Sequence, residues 1–287
     1  MQNIKHSQNF LKSKTMVQKI VSGSGINKGD TVIEIGPGTG MITDELILRA
    51  KDIFAIELDK TLFAELKEKY RDVRNLTLIN TDFLTYDMVA DRNCKVFANI
   101  PFNRTSEILQ KLFAQSNLTD MYLIMQAEAM YKYAGLPFQN ETFRSIMYKP
   151  FFDFEITHNF SPYDFEPFPK AKVILAHISK KATPDIEKEN QKWYFDFVAS
   201  LHLAPGEIFL DKTKNIFTYE QQKRLSKELN LHKESLISTW TYKQWLGLFN
   251  CFCTMVSEQK KRLVYGSYKK LLKQQSKLQK DHRTRRY

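Results

Sequence analysis

The chain has 287 residues, of which 43% are hydrophobic and 26% charged, so it can bury one large core and a smaller second one. It contains no apolar run of the about 18 residues that a membrane-spanning helix needs, and its three cysteines are too few for a disulfide framework. We therefore expect a cytoplasmic protein with reduced, buried thiols, no membrane partner and no metal site.

The net charge of +11 lies almost entirely near the C-terminal end. Residues 1–179 contain 21 basic and 21 acidic residues, whereas residues 260–287 contain 11 basic residues and a single acid. Such a polycation suits polyanion binding, and a solvated tail that only aids solubility is the alternative. Residues 1–29 contain five lysines and no acid, but they lack the arginines of a transit peptide, so we assign them to the mature fold.

Short apolar runs alternate with helical periods through the first half of the chain. The predicted strands are 31–36, 52–58, 76–82, 95–100 and 121–125, and the predicted helices are 41–50, 62–70 and 107–114. Strands that alternate with helices form right-handed crossovers and a parallel, doubly wound sheet. Ligands of such a sheet bind beyond the carboxyl ends of its strands.

The pattern changes after residue 150. Two predicted strands, 151–158 and 173–179, flank a proline-rich segment and form a hairpin at the sheet edge. Helices are predicted at 193–201, 219–229 and 242–255, and the basic end of the chain is predicted to become an amphipathic helix on contact with a partner. We therefore expect an α/β domain over residues 1–180, a helical domain over 181–259 and a basic tail over 260–287.

Residues 34–40 read Glu-Ile-Gly-Pro-Gly-Thr-Gly and close the first predicted strand. The glycines permit positive φ and close approach of the backbone to a ligand. A dinucleotide-binding fingerprint, G-x-G-x-x-G, requires its third glycine at position 41, where this chain has Met. The lysine of a Walker phosphate-binding loop is also absent after the glycines. Glu57 and Asp82 end the next two strands and are placed to accept hydrogen bonds from a ribose and from an adenine amine. The set predicts a site for S-adenosylmethionine; the alternative is a turn with two surface carboxylates.

Residues 99–102 read Asn-Ile-Pro-Phe and close a later strand. An adenine amine is a poor nucleophile because its lone pair is delocalised into the ring, so methyl transfer to it requires acceptors for both N–H bonds. The Asn99 amide oxygen and the Ile100 carbonyl can supply them, with Pro101 keeping Ile100 extended. Phe102 can stack on an extruded base, worth about 1–3 kcal/mol. Alone, this segment is more typical of a strand-to-helix turn with a core aromatic; with the upstream glycines it predicts methylation of a base.

The sequence resembles the Erm family of ribosomal RNA adenine N6-dimethyltransferases. The matching segments are residues 3–11, 34–40, 56–59, 81–82 and 99–102, together with a proline-rich segment at 165–170 and a last helix at 241–250. The likeness therefore covers roughly residues 3–250.

The resemblance implies a Rossmann-like class I S-adenosylmethionine methyltransferase with a small C-terminal helical domain that binds RNA. Its implied substrate is one adenine of 23S ribosomal RNA, methylated or dimethylated before ribosome assembly is complete by a monomeric enzyme. The implied outcome is resistance to macrolide, lincosamide and streptogramin B antibiotics. The implied cofactor contacts are Asn9, Leu11, Gly36, Gly38, Glu57, Asp82 and Asn99, and the implied catalytic residues are Asn99, Ile100 and Phe102.

Three positions depart from the family pattern. Phe102 stands where Tyr is usual, which keeps the stacking face and loses a hydroxyl. Arg104 stands where an apolar residue is usual, and we expect it to add a phosphate contact. Residues 199–206 lack the basic stretch that the family tends to carry, which leaves the RNA contacts of the helical domain open.

Two alternatives remain open at this point. The small-subunit (16S) dimethyladenosine transferases share every core motif, although His6-Ser7 and the segment at 241–250 favour the Erm family. A non-catalytic nucleic-acid-binding relative would keep the fold without the activity. The presence of Glu57, Asp82 and Asn99 argues against that relative.

Overall fold

A computed structural model describes residues 9–88 and 92–277, which form two compact units. The first unit consists of the described residues up to Tyr131 together with Phe152–Ala182. The second consists of Lys132–Phe151 and the described residues from Thr183 onward. The segment Lys132–Phe151, which the sequence analysis places in the first domain, thus groups with the helical unit. Residues 3–8, including His6-Ser7, and the last ten residues of the predicted tail lie outside the described residues.

The first unit is built on a seven-stranded sheet of order β4-β3-β2-β5-β6-β9-β7. In chain order its strands are β1 Phe10–Leu11, β2 Thr31–Ile35, β3 Asp52–Glu57, β4 Leu76–Asn80, β5 Cys94–Asn99, β6 Leu118–Gln126, β7 Phe152–Asn159, β8 Phe165–Glu166 and β9 Val173–Lys180, with β1 and β8 paired separately. The five strands β4, β3, β2, β5 and β6 are parallel to one another, and β9 pairs antiparallel with both β6 and β7. The predicted α/β class and parallel sheet are confirmed.

Five helices follow or separate these strands: α1 Lys14–Ser22, α2 Met41–Arg49, α3 Lys60–Lys69, α4 Thr105–Phe113 and α5 Ala127–Ala134. Helices α1 and α5 were not predicted from the sequence. Side chains that accept hydrogen bonds from the first turn fix where two of the helices begin. Ser13 accepts from the Met16 amide at 3.3 Å, and Asp59 accepts from the Thr61 and Leu62 amides at 2.8 and 3.1 Å.

Strand β2 is an inner strand of the sheet, between β3 and β5, and is buried along its whole length. A parallel sheet covered by helices on both faces requires such nearly continuous apolar strands. Glu57 is the last residue of β3 and Asn99 the last residue of β5, so both leave the sheet at its carboxyl edge. The topology therefore brings chemistry-bearing side chains to one edge, where ligands of this architecture bind.

The predicted edge hairpin is confirmed, because β7 and β9 pair antiparallel and β7 is the edge strand. The proline-rich segment between them was expected only to connect them. Its strand β8 instead pairs with β1, placing Phe10 opposite Glu166 and Leu11 opposite Phe165. Strands of two residues have no period of their own, so the sequence pattern carried no signal for this pairing.

The second unit is helical in its described residues. Its helices are α6 Phe143–Tyr148, α7 Gln191–Leu203, α8 Phe209–Thr213, α9 Tyr219–Glu228, α10 Tyr242–Met255, α11 Glu258–Lys261 and α12 Ser267–Lys277. Helices α7, α9 and α10 match the three predicted ones. Aromatic rings form the core between α7 and α10, with Tyr194 5.0 Å from Phe249 and Phe197 4.9 Å from Phe252 between centroids. Such pairs add to the hydrophobic stabilisation that their burial supplies.

The basic tail begins inside this helical core. Val264 is buried, and the buried carboxylate of Asp196 accepts hydrogen bonds from the Gly266 and Tyr268 amides, both at 2.9 Å. A carboxylate at a helix N-terminus satisfies orphan N–H groups and complements the helix dipole. The predicted helix is therefore present over Ser267–Lys277 as α12, without the partner contact that was expected to induce it.

Among residues 9–88 and 92–277, no helix combines the length and apolarity needed to cross a bilayer. Within the same residues, His, Cys, Asp and Glu side chains do not gather in a group of three or more that could hold a metal ion. The three cysteines are free thiols, but only Cys94 is fully buried; Cys251 and Cys253 are partly buried. Desolvation raises the pKa of the Cys251 and Cys253 thiols, which favours their unreactive protonated form.

Candidate active site

A cavity of about 640 Å³ opens at the carboxyl edge of the sheet in the first unit. Its volume falls within the range of about 300–1,000 Å³ typical of small-molecule sites. Every residue proposed from the sequence lines it: Asn9, Leu11, Gly36, Gly38, Glu57, Asp82, Asn99, Ile100 and Phe102. The fold thus brings together positions that are spread from residue 9 to residue 102 of the chain.

The glycine loop between β2 and α2 forms one wall of this cavity. Gly36 and Gly38 have φ values of +66° and +60°, a left-handed region that costs glycine little. The Gly36 amide donates to the Ile56 carbonyl at 2.9 Å, which turns the chain toward β3. A Cβ added to Gly36 would meet no atom within 4 Å, whereas one on Gly38 would lie 3.2 Å from the Phe10 ring. The bare backbone at Gly36 therefore leaves room for a ligand.

Tyr70 locks the far end of the same loop. Its hydroxyl donates to the Asp44 carboxylate at 2.6 Å, and the Gly40 carbonyl, 2.9 Å away, is the second acceptor within reach of the same proton. Burial raises the pKa of the Tyr70 hydroxyl, so it remains a donor throughout the physiological range. Gly40 caps helix α2, whose first residue, Met41, lines the cavity. The helix N-terminus thereby presents its partial positive charge to the site.

Glu57 holds the loop and still has acceptor capacity for a ligand. Its two carboxylate oxygens accept from the Gly38 amide at 3.1 Å and from the Asp59 amide at 2.8 Å. A carboxylate offers about four lone-pair sites, and the Leu58 amide also bonds to Glu57, so acceptor capacity remains for a ligand hydroxyl. Burial raises the pKa of Glu57, and the hydrogen bonds from these amides oppose that rise.

Glu34 lies in β2 beneath the loop and is fully buried. The Thr43 hydroxyl donates to its carboxyl at 2.8 Å. Desolvation raises the pKa of Glu34 to about 8, against a weaker opposing effect of the Thr43 hydrogen bond. Glu34 is therefore a protonated structural acid at neutral pH, and its hydrogen bond with Thr43 tethers α2 to β2.

Asp82 follows β4 and turns its carboxylate back on the chain. Its Oδ1 accepts from the Leu84 amide at 2.8 Å, and its Oδ2 lies 3.9 Å from the Arg104 guanidinium. Arg104 also pairs with Glu107 one helical turn later. The structure thus gives Arg104 two carboxylate partners, and the phosphate contact expected from the sequence stays a prediction.

The Asn99 amide is oriented by the N-terminal strand. Its Nδ2 donates to the Asn9 carbonyl at 2.8 Å, and the Asn9 Nδ2 donates to the Pro167 carbonyl at 2.6 Å. An amide has one acceptor oxygen, so anchoring the nitrogen leaves the Asn99 oxygen as the acceptor for a ligand. Ile100 and Pro101 continue this wall of the cavity. The arrangement can accept hydrogen bonds from an exocyclic amine without supplying a charge.

Phe102 starts a short 3₁₀ turn, Phe102–Arg104, directly after Pro101, whose φ of −63° and ψ of 124° hold the chain extended. Its ring is partly buried and packs against the hydrophobic core of the first unit. The same side chain lines the cavity, so one part of the ring is fixed while another faces the site. A ring held in this way is a preorganised surface on which a base can stack.

Several apolar residues of the cavity were missed by the sequence analysis, chiefly Phe10, Phe83 and Ile108. Phe83 is buried directly after Asp82, and Lys111 lies 5.0 Å from its ring centroid. An aromatic residue next to a strand-end carboxylate was the available signal for Phe83. Phe10 had no such signal, because its position depends on the pairing of β1 with β8.

The sheet, the glycine loop and the two strand-end carboxylates define a Rossmann-like methyltransferase that uses S-adenosylmethionine. The open space at Gly36 and the unused acceptor capacity of Glu57 fit the adenosine and amino-acid parts of that cofactor. When bound, it supplies an electrophilic methyl group.

A model of the family described as ribosomal RNA adenine dimethylase matches residues 1–253, and the chain belongs to that family. The chain is accordingly a ribosomal RNA adenine dimethyltransferase. It is 32% identical over 235 residues to the ribosomal RNA small subunit methyltransferase A of Clostridium botulinum strain Kyoto, covering 80% of this chain and 81% of that one. It is 27% identical over 267 residues to the protein of that name from Caldanaerobacter subterraneus, covering 88% and 98%.

Two solved structures share the fold. The 23S rRNA methyltransferase ErmE superposes with a TM-score of 0.77 at 22% identity, covering 86% of this chain and all of that one. A dimethyladenosine transferase from Plasmodium falciparum superposes with a TM-score of 0.68 at 21% identity, covering 85% and 98%. At these identities the likeness establishes the architecture, and it does not choose between the two ribosomal RNAs.

Proposed function

We propose that this chain dimethylates adenine N6 in small-subunit ribosomal RNA. The observation that carries this proposal is the similarity to small-subunit methyltransferases at 32% identity over about four-fifths of both chains. The small-subunit target, which the sequence analysis ranks second, is thereby better supported than the 23S target. The expected antibiotic resistance gains no support from the names of these relatives.

The cavity suggests how its residues divide the work. We assign Gly36, Gly38, Glu57 and Asp82 to the cofactor, with Asn9 and Leu11 covering it. The Asn99 oxygen and the Ile100 carbonyl would accept the two amine N–H bonds, which favours a pyramidal nitrogen whose lone pair forms the new C–N bond. Bound S-adenosylmethionine would supply the methyl group and keep the electron pair of the broken carbon–sulfur bond as a neutral thioether, and the amine proton, made acidic by alkylation, would pass to solvent water. Phe102 would hold the extruded adenine by stacking.

The second unit and the basic tail are proposed to bind the RNA backbone. We assign the first unit to methyl transfer, the second unit, which includes Lys132–Phe151, to RNA binding, and residues 260–287 to further phosphate contacts. The charge distribution supports this division, since residues 260–287 carry a net charge of +10. Phosphate neutralisation by Lys and Arg contributes affinity without sequence preference.

A large-subunit adenine is the second candidate target. The observation that favours it is the resemblance of residues 241–250, Thr-Tyr-Lys-Gln-Trp-Leu-Gly-Leu-Phe-Asn, to the last helix of the Erm family. These residues form the start of α10, in which Trp245 is fully buried. A motif with a buried core residue also serves packing, so this observation weighs less than similarity over most of the chain.

Primer extension on both ribosomal RNAs discriminates the two targets. The chain is expressed in a bacterium that lacks its own small-subunit dimethyltransferase, with the Asn99→Ala variant as the matched control. Dimethylation blocks the pairing edge of adenine, so reverse transcriptase stops there. We expect a pair of stops near the 3′ end of the small-subunit RNA from the unaltered chain and none from the variant.

A single stop in the peptidyl-transferase region of the large-subunit RNA, with raised macrolide resistance, would transfer the assignment to the second candidate. An absence of stops on both RNAs, together with failure of the purified chain to bind S-adenosylmethionine, would instead support the non-catalytic alternative.

A further inference from the structure

Two aromatic side chains stand out from the proline-rich segment that contains β8. Tyr163 is 76% exposed and Phe168 is 54% exposed, and both belong to the first unit. Their ring centroids lie 5.3 Å apart in an edge-to-face arrangement. Large aromatic groups exposed side by side mark surfaces that bind a partner. We call this pair the aromatic platform.

Backbone hydrogen bonds hold the platform in place. The Ser161 hydroxyl accepts from the Tyr163 amide at 3.3 Å, and the Asp164 carboxylate accepts from the Ser161 amide at 2.7 Å. The Lys12 amide donates to the Asp164 carbonyl at 2.9 Å, which fastens the segment to the residues after β1. The rings are therefore carried by an ordered support, which lowers the entropic cost of binding.

The surroundings of the platform are cationic. The Lys12 ammonium lies 5.7 Å from the Phe168 ring centroid. Lys12, Lys14, Lys170 and Lys172 are exposed in the two segments that meet here, against the carboxylates of Asp164 and Glu166. Asp164 caps the turn, and Glu166 is 3.4 Å from the Lys12 ammonium. Exposed rings with the Lys12 ammonium beside them favour a ligand that combines flat bases with phosphates.

The platform is linked to the proposed catalytic amide by consecutive hydrogen bonds. Asn99 donates to the Asn9 carbonyl, and Asn9 donates to the carbonyl of Pro167, the residue immediately before Phe168. Phe10 and Glu166 are paired across β1 and β8, so the cavity wall and the platform share one support. An RNA strand could therefore lie on the platform while its reacting base occupies the cavity.

We propose that Tyr163 and Phe168 stack on an unpaired nucleotide that flanks the target adenine, with Lys12 contacting its phosphate. The inference rests on the proposed function for the identity of the RNA. Base stacking on an aromatic ring tolerates any base, so the platform would position the strand without reading its sequence. Extrusion of the target adenine would then be assisted by holding its neighbour outside the stack.

The test compares ring-preserving and ring-removing variants of exposed residues. Phe168→Leu removes the ring and keeps apolar bulk, Phe168→Trp keeps a stacking surface, and Tyr163→Phe loses only the hydroxyl. Leu48→Ala, at a 65% exposed position in α2, is the matched control for loss of exposed apolar area. Methyl incorporation is measured into undermethylated small-subunit RNA and, separately, into large-subunit RNA.

We expect Phe168→Leu to raise the KM for RNA about five- to tenfold, the lower part of the range for one stacked base, with kcat changed less than twofold. Phe168→Trp and Tyr163→Phe should stay close to the unaltered chain. A short single-stranded RNA with 2-aminopurine beside its single adenine supplies a binding readout independent of turnover, because stacking quenches its fluorescence. Phe168→Leu should lose that quenching.

Equal KM values and equal quenching for Phe168→Leu and Leu48→Ala would overturn the platform. A change in kcat alone would also overturn it, because it would assign Phe168 to support of the cavity. Ring-dependent quenching without methyl incorporation into either RNA would sustain the platform and reject the proposed function.

Discussion

The Asn99 side-chain nitrogen donates a 2.8 Å hydrogen bond to the backbone carbonyl of Asn9, 90 residues earlier in the chain. This bond fixes which end of the amide faces the cavity, since the oxygen is the end left free of that contact. An acceptor held in place before substrate arrives has no reorganisation to undergo during the reaction. The N-terminal segment thus both lines the cavity and orients the Asn99 amide.

Asn99→Ala should therefore lower turnover on the order of a hundredfold or more, by analogy with removal of other preorganised polar groups. RNA affinity should remain nearly intact because phosphate contacts dominate it. Methyl incorporation under single-turnover conditions and filter binding of RNA measure the two quantities. Near-normal turnover in the variant would show that the reacting amine lies elsewhere.

Two substitutions of Phe102 separate the effect of the aromatic ring from the effect of a ring hydroxyl. Phe102→Tyr keeps the ring and should change turnover less than about threefold, whereas Phe102→Ala should lose the stacking contribution of about 1–3 kcal/mol. That loss corresponds to a reduction in kcat/KM of roughly five- to 150-fold. Circular dichroism is the control, because Phe102 also packs against the core. Equal effects of the two substitutions would contradict a stacking role.

Glu34 should make the first unit less stable as pH rises. Its pKa is about 8 in the folded chain and 4.5 ordinarily, so between these values the folded protein retains a proton that the unfolded chain releases. The free energy of unfolding therefore falls as pH rises through this window, at up to about 1.4 kcal/mol per pH unit, and above the window the stabilisation contributed by the proton on Glu34 is fully lost. Urea denaturation at pH 5 and pH 8 measures the difference.

Glu34→Gln is the matched variant, since it stays neutral and still accepts from Thr43. Its unfolding free energy should vary less with pH than that of the unaltered chain over the same window. Parallel pH dependence in the two proteins would mean that Glu34 does not titrate there.

Two truncations should separate the charge of the tail from its packing. Removal of residues 278–287, which include four basic residues and one acid, should flatten the salt dependence of RNA affinity by up to about three units of slope. Thermal stability and cofactor binding should not change, because Val264 and the Asp196 contacts remain. An unaltered slope would identify these residues as a solvated extension.

Removal of residues 260–287 should flatten the slope further and also destabilise the second unit. It deletes buried Val264 and leaves the buried Asp196 carboxylate without its two amide donors, costing about 1–3 kcal/mol. Differential scanning calorimetry of both truncations measures this cost. Equal melting temperatures would show that α12 contributes nothing to the fold.

The cavity was predictable from the sequence because its residues follow apolar runs. Glu57, Asp82 and Asn99 each mark the end of a strand, and parallel strands bring their ends to one edge. The β1–β8 pairing and the Asp196 contacts with α12 were not predictable, because they join distant residues without a repeating pattern. Local periodicity reports which face of an element is buried and carries no information on such partners.

The pairing of β1 with β8 also sets an order of events during synthesis. The Asn9 side chain cannot bind the Pro167 carbonyl until Pro167, 158 residues later, has been synthesised. At about 5–20 residues per second, that interval lasts roughly 8–30 s on the ribosome. Throughout it the parallel strands can form, but the wall that orients Asn99 cannot. A nascent chain would therefore possess the five parallel strands β2 to β6 well before it could hold an adenine, whereas β9 is translated after Pro167. Catalytic competence is thus acquired only after most of the first unit has been translated.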